Sequence, residues 1–425
     1  MATSGRRLTL GLAGLALAGT FGCSSVPGGT EAAPARTTAT PPPAPAPVPV
    51  PVPVPAGPKS PDFCQVDRPA AWTTAGKKHH YGSEQGLNRH GRAVSSAGDT
   101  LFVTESDAVR TRLVRLSDGG REKHVIHSMN PVESGKKSRY GSVRFDGRWL
   151  VFEVSYDASD QNDWALYAWD SEGRSEPFRV TRHDRTLNGP FLFAYVQNGK
   201  AAWAESVPGG KNAIHLYDLT AREDAVVHTG HTSPVFLAGD ILGWREALGP
   251  RDPVRVKAVS VGTGKPVDLP PVVAGIRGTA HVSGDGRTWS WVSPDYQTLY
   301  AWRPGWKESA TIAKAGEGEH IDQMEVSGDL ISWVGGEAVW AADLRSHSRT
   351  KLTPEYGSVV ANGEAVLVSY MAGGFTKDPG KQRGTDNYVI KPAELPPLPA
   401  CGSWTPVPQP PDETALPGTD PGVSA

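Results

Sequence analysis

Two pairs of histidines lie close enough in the sequence to be considered as metal ligands. His124 and His127 lie three positions apart, and on a strand an odd spacing sends side chains to opposite faces, away from a common metal. His228 and His231 would meet only if a turn joined them. We therefore expect neither pair to bind a metal.

An acidic cluster offers a different set of ligands. Asp157, Asp160, Asn162 and Asp163 fall in one polar segment, and their oxygens are of the hard type that calcium prefers. Their spacing matches no calcium-binding loop, so we interpret the segment as a solvated turn.

Local motifs of common enzyme classes are absent from the sequence. It has no Gly-x-Ser-x-Gly nucleophile elbow, no His-Glu-x-x-His zinc motif, no phosphate-binding loop and no dinucleotide fingerprint. The sequence therefore predicts no catalytic residue, no cofactor and no metal. An enzyme whose acids and histidines came from separate repeats would leave no local motif, so that alternative stays open.

The elements that would position such residues are clearest between positions 146 and 182. The run 149–152 (WLVF) is apolar on both sides of a strand, which predicts burial of both faces. A polar hairpin follows, and 166–169 (LYAW) and 178–180 (FRV) predict two further strands. Such a sheet cannot be stable alone and needs neighbours like itself.

The outline of this stretch occurs seven times. Each copy has a turn of Gly with Asp or Asn, followed by an apolar or tryptophan-bearing strand. The turns are Gly98-Asp99, Asp146-Gly147, Asn198-Gly199, Gly239-Asp240, Asp285-Gly286, Gly328-Asp329 and Asn362-Gly363. From the first to the last glycine, (363 − 98)/6 gives a period of about 44 residues, within the range of propeller blades.

The repeats predict an all-β fold, because no segment between them shows sustained helical periodicity. We expect a β-propeller of seven four-stranded blades, with six or eight blades left open and a pair of β-sandwiches or an open solenoid as alternatives. Five tryptophans are expected to pack between blades rather than to bind sugars. They are Trp149, Trp203, Trp244, Trp291 and Trp333.

The two ends of the chain differ from its centre. Residues 1–22 carry Arg6-Arg7 and a short apolar run, which predicts a signal peptide, and Gly22-Cys23 resembles the bacterial lipobox, so Cys23 is the expected lipidation site. Residues 23–61 are a proline-rich linker and 402–425 a tail with too few apolar residues to fold. The propeller domain is expected to span 62–401.

At the level of one repeat the sequence resembles the TolB-like propellers. The resemblance is best in FDGRWLVFEVS, LYAWDSEG and FRVTR of the second repeat and in NGKAAWAES and IHLYDLTARED of the third, and KLT at 351–353 ends the sixth in the same way. It implies a propeller fold over nearly the whole domain. It implies little about function, because propellers serve many functions.

Cys64 and Cys401 lie at the two ends of the repeat array, where closure of a ring would bring the chain ends together. We expect a disulfide between them, since Cys23 would be acylated and the compartment oxidising. The bond would enclose 401 − 64 = 337 residues, and the chain-entropy model gives about 5 kcal/mol for a loop of this size.

These features together predict an exported, lipid-anchored, non-catalytic binding or scaffold module of the bacterial cell envelope. The expected partners are an envelope protein, a peptide or a glycan, with the membrane contacted through the lipid. The net charge of −2 excludes no partner by itself but gives no reason to expect nucleic acid. A monomer is expected. The alternatives are a polysaccharide lyase or hydrolase with a site in the propeller channel, and a purely structural envelope protein.

Overall fold

The computed structural model describes residues 63–78, 80–81, 88–106, 110–129, 138–156, 163–173, 175–183, 187, 193–247, 254–371 and 384–400. Every described residue belongs to one compact unit, Ala56–Ala425. The expected signal peptide, linker and tail lie outside the described residues, as do Cys23 and Cys401.

The described part of the chain is built almost entirely from strands, as the sequence predicts. In chain order the strands are β1 Cys64–Gln65, β2 His80–Tyr81, β3 Asn88–Val94, β4 Leu101–Ser106, β5 Thr111–Ser117, β6 Glu122–Met129, β7 Arg139–Phe145, β8 Trp149–Ser155, β9 Trp164–Asp170, β10 Phe178–Arg182, β11 Tyr195–Gln197, β12 Lys200–Val207, β13 Lys211–Asp218, β14 Glu223–Thr232, β15 Phe236–Ala238, β16 Ile241–Ala247, β17 Arg255–Ser260, β18 His281–Gly284, β19 Trp289–Val292, β20 Thr298–Trp302, β21 Ala310–Lys314, β22 Ile321–Ser327, β23 Leu330–Gly335, β24 Ala338–Asp343, β25 Ser348–Lys351, β26 Gly357–Asn362, β27 Ala365–Met371 and β28 Thr385–Ile390. Two short α-helices, α1 Ala70–Lys78 and α2 Pro271–Ala274, and 3-10 turns at Asp118–Gly120 and Pro392–Glu394 complete the description.

The strands form antiparallel sheets that follow one another along the chain. Strands β3 to β6 form one sheet and β7 to β10 the next, each in sequence order. Strands β11 to β21 join in one eleven-stranded sheet made of three antiparallel segments, β11–β14, β15–β17 and β18–β21. Strands β22 to β25 with β1, and β26 to β28 with β2, form the remaining sheets. The two parallel pairings among the named strands are β1 with β25 and β15 with β18.

Buried apolar layers hold successive sheets together. The rings of Phe102 on β4 and Phe145 on β7 lie 4.6 Å apart between the first two sheets. Comparable layers follow along the chain, and the last one packs Leu367 and Val389 of the β26–β28 sheet against Leu101 of the first sheet. Successive antiparallel sheets packed in this way are the architecture of a β-propeller.

The tryptophan prediction is confirmed for burial, with one correction of geometry. Trp203, like Trp244, Trp291 and Trp333, packs in the layer shared with the preceding sheet or sheet segment. Trp149 instead begins β8 and packs towards the following sheet, against Val196 and Ala201. The residue that corresponds to Trp203 is Phe152, which pairs with Tyr167 and lies in the layer towards the preceding sheet.

The turn acids link neighbouring sheets. Asp146 accepts hydrogen bonds from the amide groups of Arg148 and Trp149 in its own turn, and its second oxygen accepts one from the Gly199 amide at 2.8 Å. In the same way, an Asp285 carboxylate oxygen accepts a hydrogen bond from the Gly328 amide at 3.0 Å. The Asp-Gly signature therefore marks a contact between sheets as well as a turn.

Each repeat begins one strand earlier than the sequence predicts. The predicted strands after the turns are observed as β4, β8, β12, β16, β19, β23 and β27, the second strands of their sheets or segments. A first strand precedes each turn, and these first strands are β3, β7, β11, β15, β18, β22 and β26. The ends of three of them meet at Asn362, whose side-chain amide donates to the carbonyls of Val94 and Phe145. These first strands therefore run in the same direction.

The N-terminal segment completes the last two sheets. Strand β1 pairs with β25 and β2 pairs with β28. Asn387 on β28 is fully buried, accepts hydrogen bonds from the Gly91 amide and the Ser369 hydroxyl, and donates to the carbonyls of Tyr81 and Arg89. It thereby connects β2, β3, β27 and β28. Among the described residues, no helix has the length and apolar character needed to cross a membrane.

Candidate functional site

Three first strands carry bulges that redirect side chains. Arg92 is the extra residue of β3, since Gly91 and Ala93 pair with adjacent residues of β4. Gly141 and Ser142 of β7 together oppose the single residue Glu153 of β8. Strand β22 has a similar irregularity at residues 322–323. Because bulges aim side chains away from the regular pleat, they are common beside functional sites. We call the polar groups on and against these first strands, among them His90, Arg92 and Glu153, the first-strand site.

Glu153 is the titratable centre of this site. Its carboxylate accepts a hydrogen bond from the Ser142 amide at 3.1 Å. Burial raises the pKa of Glu153 to about 7, although the Ser142 amide and the charges of Arg139 and Arg92 oppose the shift. A carboxyl group with this pKa is half ionised near neutral pH and can both take and return a proton.

Gly141 makes room for the Glu153 carboxylate. A β-carbon at position 141 would lie within about 2 Å of a Glu153 carboxylate oxygen, far below any contact distance. The missing side chain therefore lets the carboxylate lie against the strand backbone, where it meets the Ser142 amide.

Arg92 supplies positive charge next to Glu153. The Arg92 side chain is half-buried, and its Nε donates a hydrogen bond to the Thr104 hydroxyl at 3.4 Å. Burial, and then repulsion by Arg139, lowers the pKa of Arg92 to about 10. Arg92 therefore remains cationic at neutral pH, where the Glu153 carboxyl group is half ionised.

His90 and Ser358 form a second contact in the site. The Ser358 hydroxyl and His90 Nε2 are 3.3 Å apart, across the boundary between β26 and β3. Burial, and then the charge of Arg92, lowers the pKa of His90 to about 3. His90 is therefore neutral at pH 7 and is a weak base, which makes it a poorer proton acceptor than Glu153.

An ion pair joins two first strands that lie far apart in the chain. Arg144 on β7 lies 3.1 Å from Glu325 on β22, and its guanidinium lies 5.1 Å from the ring centre of Tyr195 on β11. Burial lowers the pKa of Arg144, but the charge of Glu325 and the interactions with Tyr195 together outweigh it, and the net shift is upward. Strands β7, β11 and β22 thus converge.

His281 on β18 is a further buried histidine of a first strand. Burial, and then the charge of Arg245, lowers the pKa of His281 to about 4, so its ring is neutral at pH 7. Its ring meets that of Tyr296 edge-on, with 5.5 Å between ring centres.

The histidine pair on β6 is arranged differently from the sequence prediction. Ile126 is an extra residue in β6, so His124 and His127 both face the neighbouring sheet instead of opposite faces. His124 stacks on Trp169, and His127 Nδ1 is hydrogen-bonded to the Tyr140 hydroxyl at 2.8 Å. The prediction of opposite faces is therefore wrong, because the bulge breaks the alternation.

The other candidate ligands do not converge. His228 lies 2.6 Å from Glu246 and stacks on Trp244, whereas His231 is hydrogen-bonded to the Gly210 carbonyl. Of the acidic cluster, Asp163 accepts a hydrogen bond from Arg182, and Asp157, Asp160 and Asn162 lie outside the described residues. Within the described ranges no group of three His, Cys, Asp or Glu side chains is arranged to hold a metal ion.

Sequence reasoning named none of the residues of the first-strand site. A signal was present in WLVFEVS at 149–155, where Glu153 is the one charged residue of a strand predicted to be buried on both faces. A carboxyl group in such a strand must be paired, protonated or functional. For His90, Arg92 and Glu325 no comparable signal exists, because their strands were not predicted.

Comparisons with known proteins concern the fold. No protein-family model matches the chain, and no curated protein matches its sequence. Among solved structures the chain is similar to a prolyl endopeptidase, with a TM-score of 0.46 and 14% identity over 80% of this chain and 51% of that one. It is similar to a puromycin-hydrolysing peptidase of Mycobacterium tuberculosis, with a TM-score of 0.43 and 16% identity over 74% and 53%.

A third similar structure is the β-propeller domain of the Trilobed protease from Pyrococcus furiosus. Its TM-score is 0.47, with 9% identity over 72% of this chain and 95% of that one. The chain spans about half the length of the two peptidases above. Of the predicted resemblance to TolB-like lipoproteins, the propeller is the part that these comparisons support.

The expectation of a non-catalytic binding or scaffold module is not kept, since four of the similar structures are of peptidases. The polysaccharide-active and purely structural alternatives are set aside with it. That expectation rested on the absence of local catalytic motifs, and a site assembled from separate strands leaves no such motif.

Proposed function

We propose that this protein hydrolyses amide bonds in peptides at the first-strand site, with Glu153 as the proton-transferring group. The observation that carries the proposal is the Glu153 carboxyl group itself. It lies over the β7 bulge, is held by the Ser142 amide, and has a pKa of about 7 as a result of burial. Hydrolysis of an amide needs a group that first accepts and then donates a proton, and a pKa near 7 suits both steps.

In the proposed reaction the ionised Glu153 carboxylate takes a proton from a water molecule, and the water oxygen attacks the carbonyl carbon of the amide. The guanidinium of Arg92 stabilises the negative charge that develops on the carbonyl oxygen. The tetrahedral intermediate then collapses, the C–N bond breaks, and Glu153 returns the proton to the leaving amine. One water molecule is consumed, and Glu153 ends as it began.

Peptides suit the end of the strands at which the site opens. The Ser142 hydroxyl on β7 donates a hydrogen bond at 3.0 Å to the carbonyl of Ala194, which precedes β11, so the start of β11 lies beside the β7 bulge. Phe193 precedes β11 and Tyr356 precedes β26, and both are large apolar side chains with about 40% of their surface exposed. Exposed apolar groups beside cationic ones match the mixed chemistry of a peptide.

The proposal includes a ring of seven blades around a central channel. The apolar layer between β27–β28 and β4 supports closure, as do the four hydrogen bonds of Asn387 and the convergence of β7 and β22. A closed ring would place His90, Arg92, Glu153 and Glu325 around one water-filled axis.

We further propose that the protein is an exported, lipid-anchored monomer of the bacterial envelope. The Arg6-Arg7 pair, the apolar run after it and Gly22-Cys23 support this location, and the proline-rich segment 23–61 would hold the propeller away from the membrane. Peptides would then reach the site from outside the cytoplasm.

The test incubates the full chain, purified in detergent, with a mixture of unmodified peptides and identifies new termini by mass spectrometry. We expect cleavage whose rate rises with pH through about 7, as Glu153 ionises. Glu153→Gln should lower the rate by at least about 100-fold, the contribution typical of general acid–base catalysis.

The matched control is Glu223→Gln, which changes an exposed carboxylate at the start of β14 and should cleave at the wild-type rate. Thermal unfolding of both variants shows that the fold is retained. Absence of cleavage by the wild-type protein, or an unchanged rate in Glu153→Gln, would rule the proposal out.

A further inference from the structure

Arg139 and Glu153 lie on the same face of the β7–β8 pair. Arg139, the first residue of β7, pairs with Ser155 of β8. Ser155 and Glu153 are two residues apart on one strand and therefore point the same way. Diagonal neighbours of this kind have backbones roughly 7–8 Å apart, within reach of a long side chain. In agreement, Arg139 is among the charges that lower the pKa of Glu153.

The site has an excess of positive charge at this end. Arg92 and Arg139 are close enough to repel each other. The Glu153 carboxyl group, which interacts with both, is only half ionised at neutral pH. His90 is neutral there. An anion that enters the site is attracted by both guanidinium groups and is opposed by one partial negative charge.

A carboxylate is the anion that a guanidinium group accommodates best in a peptide substrate. The planar guanidinium donates two parallel hydrogen bonds to the two carboxylate oxygens. An extended peptide advances about 3.3 Å per residue, so a carboxylate held by Arg139 would place a bond one or two residues away next to Glu153. Arg139 is exposed and therefore accessible to such a group.

We propose that Arg139, with the charge of Arg92 behind it, binds the free C-terminal carboxylate of the peptide, so that the enzyme removes one or two residues from the C-terminal end. This inference rests on the proposed peptide hydrolysis at Glu153. It names Arg139 as the residue that determines specificity for a free C-terminus, and leaves proton transfer to Glu153.

The test measures binding without turnover, using the full chain with Glu153→Gln and fluorescently labelled peptides with either a free or an amidated C-terminus. We expect the free acid to bind about 10-fold more tightly, which corresponds to about 1.4 kcal/mol. Adding Arg139→Gln should remove the preference, and Arg139→Lys should keep part of it. The control Arg148→Gln changes an exposed arginine paired with Asp170 and should leave the preference intact.

The wild-type products provide a second measurement. We expect mass spectrometry to find single residues or dipeptides lost from free C-termini and no loss from amidated peptides. Equal binding of acid and amide, or a preference that survives Arg139→Gln, overturns the inference. Internal cleavage of amidated peptides that depends on Glu153 would refute the inference and leave the proposed function standing. A preference for the free acid without any cleavage would refute the proposed function and leave the carboxylate subsite standing.

Discussion

The Arg144 guanidinium lies 3.1 Å from the Glu325 carboxylate, although the two residues are 181 positions apart in the chain. One belongs to β7 and the other to β22, so the contact connects an early sheet with a late one. Both side chains keep only about a fifth of their surface exposed, 22% and 17%. The pair is therefore positioned to hold the sheets in their mutual arrangement.

Breaking this pair should destabilise the fold. Arg144→Met or Glu325→Met alone leaves a largely buried charge without its partner, and we expect a loss of about 3 kcal/mol in the free energy of unfolding. The double variant Arg144→Met, Glu325→Met should recover much of that loss, because no charge then remains buried. Urea unfolding of the four proteins measures the coupling. Arg148→Met, at an exposed pair, should cost less than about 1 kcal/mol, and equal losses in both pairs would contradict the assignment.

Asn387 should be nearly irreplaceable for stability. Its side chain is fully buried and makes four hydrogen bonds, two to β3 of the first sheet and two within the last sheet. Asn387→Ala leaves two carbonyl groups, an amide and a hydroxyl without this partner, at about 1–3 kcal/mol for each group that water cannot reach. We expect a loss of at least about 3 kcal/mol in urea unfolding. The comparison is Asn212→Ala, at a part-buried asparagine on β13. A smaller loss at Asn387 than at Asn212 would contradict the proposed role of Asn387 in stability.

Stability should fall on acidification through the buried histidines. The pKa of His281 is about 4 in the folded protein, against an ordinary value of 6.5, so the folded state binds fewer protons between those two values. Its contribution is complete above pH 6.5 and is lost as the pH falls towards 4. His281→Asn should flatten this part of the curve of unfolding free energy against pH. An unchanged slope would show that His281 is not buried as described.

Glu153 should produce the opposite slope. Its pKa is raised from 4.5 to about 7, so the folded state binds the proton more tightly, and the contribution present below pH 4.5 is lost as the pH rises through 7. Glu153→Gln should therefore be at least as stable as the wild-type protein at pH 8. Chemical unfolding at pH 5 and pH 8 checks this, and a large destabilisation of the variant at pH 8 would be inconsistent with a buried carboxyl group.

The disulfide between Cys64 and Cys401 stays a prediction, because Cys401 lies outside the described residues. The described residues on either side bring the two cysteine positions close together. Cys64 pairs with Ser348, and the Ser348 hydroxyl donates to the carbonyl of Pro399, two residues before Cys401. Non-reducing peptide mapping should recover the two cysteines linked, and reduction should lower the unfolding temperature. Recovery of both as separate thiols would reject the bond.

The strands that the sequence predicts are those that are apolar on both faces. Strands such as β8 and β12 are buried between two sheets, so they are rich in apolar residues and tryptophan and stand out after each turn. The all-β fold and the antiparallel unit at 146–182 followed from that regularity. The turn acids were also found, although their bonds to the next sheet were not.

The first strands escaped prediction for a physical reason. Sequences such as NRHGRAV of β3, RYGSVRF of β7 and IDQMEVS of β22 mix charged, small and apolar residues, and a bulge interrupts the alternation in each. A strand that borders a wet interior need not be apolar, so its sequence resembles a loop. Since the candidate site is built on these strands, it was missed with them.

The pairing of the N-terminal strands has a consequence for biosynthesis. Strands β1 and β2 precede the repeats, yet their partners β25 and β28 lie near the other end of the described chain. During translation these two strands therefore remain without their partners until almost every later repeat has been synthesised. Their shortness, two residues each, limits the edge that they expose to other chains during that delay.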